Sequence, residues 1–241
     1  MTARPNRLFA ALAGLTLAAG LSGCVSVFPK SKPAQLYTFG RAAAEAAPAP
    51  AQAPAAERTG VLLAAVTFPR AAQGDTLLTM TGAQAAYIEE SRWAAPAVVL
   101  FREAVERRFD DAAQATRLVS RGDLGRTSMI LRLDVREFEA VYPYPEAIPS
   151  VSVSVRARLA AADGSPLQER SFAVRRPVTE NRVSAIVDGL DTVTNEILAE
   201  LVSWTDAAAA SAAAARPAAA TVRSTSTSTT TSTTTTVRPA P

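Results

Sequence analysis

The sequence contains no histidine, and its 241 residues include a single cysteine, Cys24. The missing imidazole excludes Ser-His-Asp triads, Cys-His pairs and haem held by histidine, and one thiol is too few for a zinc site built on cysteine. A lone cysteine also excludes a disulfide within the chain. Carboxylates, lysine, tyrosine and hydroxyl groups remain for chemistry, so the composition argues against most classes of enzyme.

The charge balance is close to even. The whole chain has 25 basic and 22 acidic residues, and the first 23 residues contribute two arginines, Arg4 and Arg7, and no acid. The remainder therefore carries 23 basic residues against the same 22 acidic ones. A chain this close to neutral lacks the excess of positive charge that nucleic-acid binding requires.

The amino-terminal residues form a secretion signal. Arg4 and Arg7 precede an uncharged apolar run over residues 8–21, which is shorter than the approximately 20 residues that a permanent bilayer span needs. These are the basic and apolar parts of a signal peptide, so we predict that residues 1–23 are removed. The alternative is a plain signal peptide followed by a chance cysteine.

The end of this signal, Leu21-Ser22-Gly23-Cys24, resembles the bacterial lipobox. The resemblance implies cleavage before Cys24 and covalent attachment of lipid to that residue, which also explains the lone thiol. Acyl chains anchor a protein stably when two or more are attached. Val25, the second residue of the mature chain, resembles the pattern of lipoproteins that are carried onward to the outer membrane.

The remainder divides by composition into a tether, one domain and a tail. Residues 24–34 are predicted to be a lipidated tether, and residues 35–205 a single domain of ordinary size. Within that domain, residues 41–58 are nearly all Ala and Pro and read as an extended spacer. Residues 206–241 are rich in Ala and then in Ser and Thr, and are predicted to be a disordered tail. The alternative for the Ala-rich first part is an extension of the last helix, since Ala favours helix.

The pattern of the domain predicts an α/β (α+β) fold, with a mixed, mostly antiparallel sheet and two amphipathic helices on one face. Strands are expected near residues 35–39, 61–68, 75–81, 85–89, 129–136, 151–159 and 166–175. The first helix carries an apolar stripe from Val98 to Phe109, with Ser91 as its cap and Pro96 in its first turn. The second carries a longer stripe from Val183 to Trp204.

Tyr142 and Tyr144 are the candidate contact residues. They alternate with prolines in Tyr142-Pro143-Tyr144-Pro145, which predicts a stiff projecting loop suited to contacting a protein or an acyl chain. The alternative is a rigid connection between two strands with one tyrosine folded back on the core. Trp93 is read as part of the core, and the adjacent carboxylates Glu89-Glu90 and Asp110-Asp111 as solvated charge. We predict no catalytic residues, no metal and no cofactor other than the lipid on Cys24.

The order of these features resembles the auxiliary lipoproteins of ABC-type transport systems, which include the PqiC-like lipoproteins. The shared pattern spans residues 21–205: a lipobox, an aromatic strand, an apolar strand ending in Pro, and an Arg-Trp-Ala step opening a helix. A strand ending near Phe138-Glu139-Ala140 and a final helix closing on Leu201-Val202-Ser203-Trp204 complete it. The Ala/Pro spacer and the Ser/Thr tail depart from the pattern.

The resemblance implies a non-catalytic subunit of an Mce-type lipid transport system. Such a subunit would be held in the outer membrane, facing the periplasm, and would dock a periplasm-spanning MCE-domain protein to support phospholipid transport. It leaves open whether the domain binds lipid itself and whether it forms homo-oligomers. The alternatives are a structural or assembly lipoprotein of the outer membrane or cell wall without lipid cargo, and an enzyme that uses carboxylates alone.

Overall fold

The computed structural model describes residues 33–41, 54, 57–120, 122 and 127–215, and these form one mixed sheet of eight strands with two helices on one face. The strands are β1 (Gln35–Tyr37), β2 (Thr59–Thr67), β3 (Thr76–Thr81), β4 (Gln84–Trp93), β5 (Thr116–Val119), β6 (Met129–Tyr142), β7 (Ser150–Ala161) and β8 (Pro166–Pro177). The helices are α1 (Ala97–Ala112), between β4 and β5, and α2 (Val183–Ala215), after β8.

The sheet is built around β6, its longest strand. One edge of β6 pairs antiparallel with β7 along nearly its whole length, and β8 pairs antiparallel with β7. The other edge is shared, because the first half of β6 pairs in parallel with β2 and the last three residues pair in parallel with β3. β5 then extends β2, while β4 and β1 extend β3. The predicted mixed sheet is confirmed, with its longest ladders antiparallel.

Helix α2 lies along the sheet, over β7 and β8. Its apolar stripe is buried as the periodicity predicts, at Ile186, Leu190, Val193, Ile197 and Leu201. Gly189 lets the helix come close, because a Cβ there would lie 3.2 Å from a methyl of Val151. Off the stripe, the carboxylates of Glu196 and Glu200 accept hydrogen bonds from Arg176 and Arg170 of β8, at 2.6 and 3.4 Å.

The carboxylate of Asp206 joins α2 to the start of β5. It accepts hydrogen bonds from the backbone N–H groups of Gln114 and Ala115, at 2.8 and 3.2 Å, and from the hydroxyl of Thr116, at 2.6 Å. Thr116 is fully buried. One side chain therefore satisfies three polar groups in the loop that leads from α1 into the edge strand.

An aromatic cluster fills the core between α1 and the sheet. The ring of Phe39 lies 5.0 Å from those of both Trp93 and Phe138, and Phe68 lies 5.5 Å from Phe101 of α1. The edge-to-face pairs Phe39–Trp93 and Phe68–Phe101 add to the free energy of burying large rings. Trp93 is almost completely buried, so its prediction as a core residue is confirmed.

Gly40, just after β1, is held between the two helices. Its N–H donates to the carboxylate of Asp191 on α2 at 2.5 Å, and its carbonyl accepts from the guanidinium of Arg107 on α1. The residue has φ +74°, and a Cβ here would overlap with that of Ala104. Only glycine meets both requirements without strain.

Three sequence predictions need correction. Ser91 is not the cap of α1 but lies in β4 opposite Gln35; Glu90, at φ +54°, lets the strand continue to Trp93. The helix begins instead after Pro96, which is its N-cap and makes no side-chain cap bond. The short strand β5 was not predicted, because its four residues depend on pairing with β2 rather than on a pattern of their own.

The third correction concerns the end of the ordered domain. The sequence placed it at residue 205, whereas α2 continues to Ala215, with Ala208 and Ala209 buried against the core. Alanine has the highest helix propensity, so the run extends a helix that packing has already formed. Among the described residues no helix has the length and apolarity that a bilayer crossing requires. The predicted signal peptide, Cys24, most of the tether and spacer, and the Ser/Thr tail lie outside the described residues.

Candidate functional site

The two tyrosines that the sequence singled out lie at the start of the loop between β6 and β7, residues 143–149, and they differ in environment. Tyr142 ends β6, and its hydroxyl donates to the side-chain oxygen of Asn181 at 2.8 Å. Tyr144 projects into solvent with 66% of its surface exposed. The two interpretations of the motif therefore apply to different residues. Tyr142 is folded back on the domain, and Tyr144 is available for contact.

A cleft of about 500 Å³ opens beside this loop, where β1, β4, β6 and the start of α2 meet. Its lining combines apolar and polar side chains. The lining residues are Gln35, Tyr37, Ile88, Tyr142, Asn181, Arg182, Val183, Ser184 and Ile186.

The polar groups of the cleft are hydrogen-bond donors and acceptors rather than acids and bases. The phenol of Tyr37 donates to the side-chain carbonyl of Gln35 at 2.6 Å, and burial raises the pKa of Tyr142 above its usual value. Tyr142 therefore stays neutral at physiological pH. Arg182 lies 3.5 Å from the carboxylate of Glu180. The cleft can contact a small molecule through apolar and hydrogen-bonding groups, and its lining contains no carboxylate, histidine or lysine that would act as a general base.

The face of the sheet opposite the helices, which we call the open face, is the second candidate. Its outward side chains include a row across three strands, with Glu139 on β6, Ser152 on β7 and Arg175 on β8 in register. The hydroxyl of Ser152 donates to the carboxylate of Glu137 at 2.6 Å. Lower on the same face, Arg156 pairs with Glu169.

Glu139 is a carboxylate of this face whose pKa is shifted from its ordinary value. Desolvation raises its pKa above the ordinary value, the nearby charge of Glu137 raises it further, and Arg175 lowers it by a smaller amount. Two carboxylates thus share one surface with only partial compensation from a cation. Such a surface favours a partner that brings additional positive charge.

The adjacent carboxylates Glu89-Glu90 and Asp110-Asp111 are all exposed, as predicted. Over the described residues, no group of three or more metal-ligating side chains comes together. Sequence reasoning missed Glu137 and Glu139 as a pair. The signal was available, because Glu137-Phe138-Glu139 places one buried ring between two carboxylates on a predicted strand.

Comparison with protein families identified one sequence model, described as "ABC-type transport auxiliary lipoprotein component", which matches residues 42–202. That range includes every described strand and helix after β1, apart from the last turns of α2. No curated protein matches the chain.

Solved structures share the fold. A crystal structure of a Xanthomonas campestris protein of the DUF330 family is 20% identical, with a TM-score of 0.60 over 75% of this chain and 99% of that one. A crystal structure of an uncharacterized protein is 16% identical, with a TM-score of 0.55 over 72% of this chain and 99% of that one. At these identities the likeness establishes the arrangement of strands and helices only.

Proposed function

Because this chain belongs to the family of ABC-type transport auxiliary lipoprotein components, we propose that it is the membrane-anchored, non-catalytic subunit of an Mce-type transporter. In this role it docks a periplasm-spanning MCE-domain protein and supports phospholipid transport between the inner and outer membranes. The family match over the folded domain is the observation that carries the proposal. Family membership alone implies a membrane-associated place in the cell envelope.

Lipidation of Cys24 supplies the anchor in this proposal. The lipobox ends at the only cysteine in the chain, and Val25 after it favours the outer membrane. The described residues include the cleft beside the β6–β7 loop and a charged sheet face, and among them no group of three or more metal-ligating side chains comes together. These features support a binding role, with the covalent lipid in place of a cofactor.

We assign docking of the MCE-domain protein to the open face. The two helices cover the opposite face, whereas the outward side chains of β6, β7 and β8 are polar and carry a carboxylate pair at Glu137 and Glu139. Glu139 bears an unfavourable charge that a basic group of the partner would relieve. The partner surface should therefore place Lys or Arg opposite this pair.

The test is capture of partners by the full-length lipoprotein in cells that produce the whole transport system. The Glu139→Lys variant replaces the carboxylate with a positive charge, which repels the basic group proposed for the partner. Glu103→Lys makes the same change on the exposed surface of α1 and is the control. Mass spectrometry of crosslinked complexes should identify an MCE-domain protein with the wild type and with Glu103→Lys, and much less of it with Glu139→Lys.

Other outcomes separate the alternatives. Equal loss of the MCE-domain protein in both variants would refute the assignment to the open face. Recovery of only barrel-assembly or cell-wall components would refute the transport role and support a structural lipoprotein. Phospholipid that copurifies with the purified domain would show that it binds lipid itself and does not only dock protein.

A further inference from the structure

The end of the domain at which the chain enters can be located from strand register. β3 reaches this end at Thr81, beside Tyr142 of β6, and β4 starts from the same end at Gln84. β1 runs parallel to β4 with Gln35 opposite Ser91, so the residues before Gln35 point toward that end. The loop of residues 143–149 lies there because it follows Tyr142, and the start of α2 lies beside it, because Tyr142 and Ser184 line the same cleft as Gln35.

The length of the tether keeps this end near a membrane. Eight residues lie between Cys24 and Pro33, the first described residue. At about 3.5 Å for each extended residue, they reach no more than about 30 Å. A lipid on Cys24 therefore holds the entry end of the domain within about one bilayer thickness of the surface.

Exposed apolar side chains concentrate at this same end. Tyr144 and Ile148 on the β6–β7 loop are 66% and 55% exposed, and Tyr87 lies on β4, three residues after its start at Gln84. We call these three residues the tether-end surface. They are three of the six large apolar side chains most exposed among the described residues; Leu36 lies opposite Arg92 near the other end of β3, and Val99 and Leu167 lie elsewhere.

The loop that carries Tyr144 and Ile148 is held rigidly. The amide of Asn181 accepts from Tyr142 and donates to the carbonyl of Glu146 at 3.3 Å, and the N–H of Val178 donates to the carbonyl of Pro149 at 3.0 Å. Little conformational entropy is lost when such a loop makes a contact. Tyrosine, with an apolar ring and a polar hydroxyl, is a residue that favours the membrane–water interface.

The charges around the tether-end surface indicate what kind of contact it makes. The exposed carboxylates of Glu89, Glu146 and Glu180 lie at this end, together with the guanidinium of Arg182, and the tether adds two lysines, Lys30 and Lys32. These charges balance, so attraction to anionic headgroups is not this end's source of affinity. A contact made here depends on burial of apolar side chains and should not respond to salt.

We propose that the tether-end surface rests on the membrane that holds the lipid of Cys24, with Tyr144 and Ile148 inserted among the lipid headgroups. The cleft then opens at the membrane surface. This inference rests on the lipid anchor put forward under the proposed function, and it adds an orientation of the domain that docking of a protein partner does not require.

The experiment uses the full mature lipoprotein reconstituted into vesicles of zwitterionic phospholipid, some of it brominated. Since acylation occupies the only native cysteine, a cysteine introduced by Ile148→Cys is the single free thiol and can carry a fluorophore. Leu167→Cys is the matched control, because Leu167 is 40% exposed and follows the turn at the opposite end of the β7–β8 hairpin. Brominated lipid should quench the label at position 148 several-fold more strongly than the label at position 167.

A second variant separates insertion from mere proximity. Tyr144→Asp in the protein labelled at position 148 should lower the quenching to the level of the control, whereas Val99→Asp should leave it unchanged. High salt should have no effect. Equal quenching at positions 148 and 167 would overturn the proposal, as would shielding of position 148 by a protein crosslinked to Tyr144.

The intact mass of the purified protein keeps this inference distinct from the proposed function. A mass without acyl chains on Cys24 would refute the anchor and with it both proposals. An acylated protein with equal quenching at the two positions would refute only the seating on the membrane and would leave the docking role intact.

Discussion

Replacement of Asp206 by Ala is the sharpest test of how α2 stabilises the sheet. The carboxylate accepts three hydrogen bonds, from the N–H groups of Gln114 and Ala115 and from the buried hydroxyl of Thr116. Alanine leaves all three without this acceptor. A buried polar group that loses its partner costs about 1–3 kcal/mol, and water can reach the two partly buried N–H groups. We expect a loss of about 3 kcal/mol in the free energy of unfolding.

Urea denaturation followed by circular dichroism measures this loss. Asp188→Ala, on the exposed surface of the same helix, is the control and should change the stability by no more than about 0.5 kcal/mol. A loss of about 3 kcal/mol in a domain of this size lowers the melting temperature by roughly 10 °C.

The double variant with Thr116→Val identifies the hydroxyl's share. Valine removes the hydroxyl, so the orphaned polar group is absent when Asp206 is also replaced. The two substitutions together should therefore destabilise the domain by less than the sum of their separate effects. Strict additivity, or a loss for Asp206→Ala no larger than that of Asp188→Ala, would contradict the reasoning.

Three further predictions follow from single contacts. Gly40→Ala should destabilise the domain by about 2–4 kcal/mol in urea titrations, since alanine is strained at this positive φ and its Cβ would overlap with that of Ala104 on α1. An unchanged denaturation midpoint would contradict this close packing of Gly40 against α1. Asn181→Ala should speed proteolysis within residues 143–149 because it removes the bond to the carbonyl of Glu146 in that loop and the bond to Tyr142 just before it, while cleavage elsewhere stays constant. Because the pKa of Glu139 is raised on folding, its carboxyl favours the folded state at acidic pH, and this contribution disappears as pH rises through the raised value. Glu139→Gln should therefore be the more stable variant at pH 7, with an advantage that shrinks or reverses at pH 4; an advantage independent of pH would contradict this sign.

Apolar patterns that repeat within one helix or strand were predictable from the sequence, and contacts between distant segments were not. The stripe from Ile186 to Leu201 repeats over several turns and predicts the buried face of α2 from spacing alone. β5 has only four residues, and it is held by pairing with β2 and by the carboxylate of Asp206, about 90 positions away in the sequence. No local window contains that information.

The candidate sites follow the same division. The alternating prolines identified the loop that carries Tyr144, since they act on the backbone nearby. They could not show that Tyr142 turns back, because its partner Asn181 lies 39 residues further along the chain. The pKa of Glu139 likewise depends on the assembled sheet, because desolvation raises it most, and Arg175 of β8, 36 residues further along the chain, opposes the increase.

The hydrogen bonds of Gly40 to Asp191 on α2 and Arg107 on α1 have a mechanical consequence. A chain end tied to a membrane is pulled whenever the bound body moves, and the load then runs through β1, which offers only three paired residues. The next attachment along the chain is Gly40, whose carbonyl and N–H are hydrogen-bonded to α1 and α2 respectively. With the lipid anchor proposed for Cys24, tension would therefore pass to α1 and α2 before it reached β2.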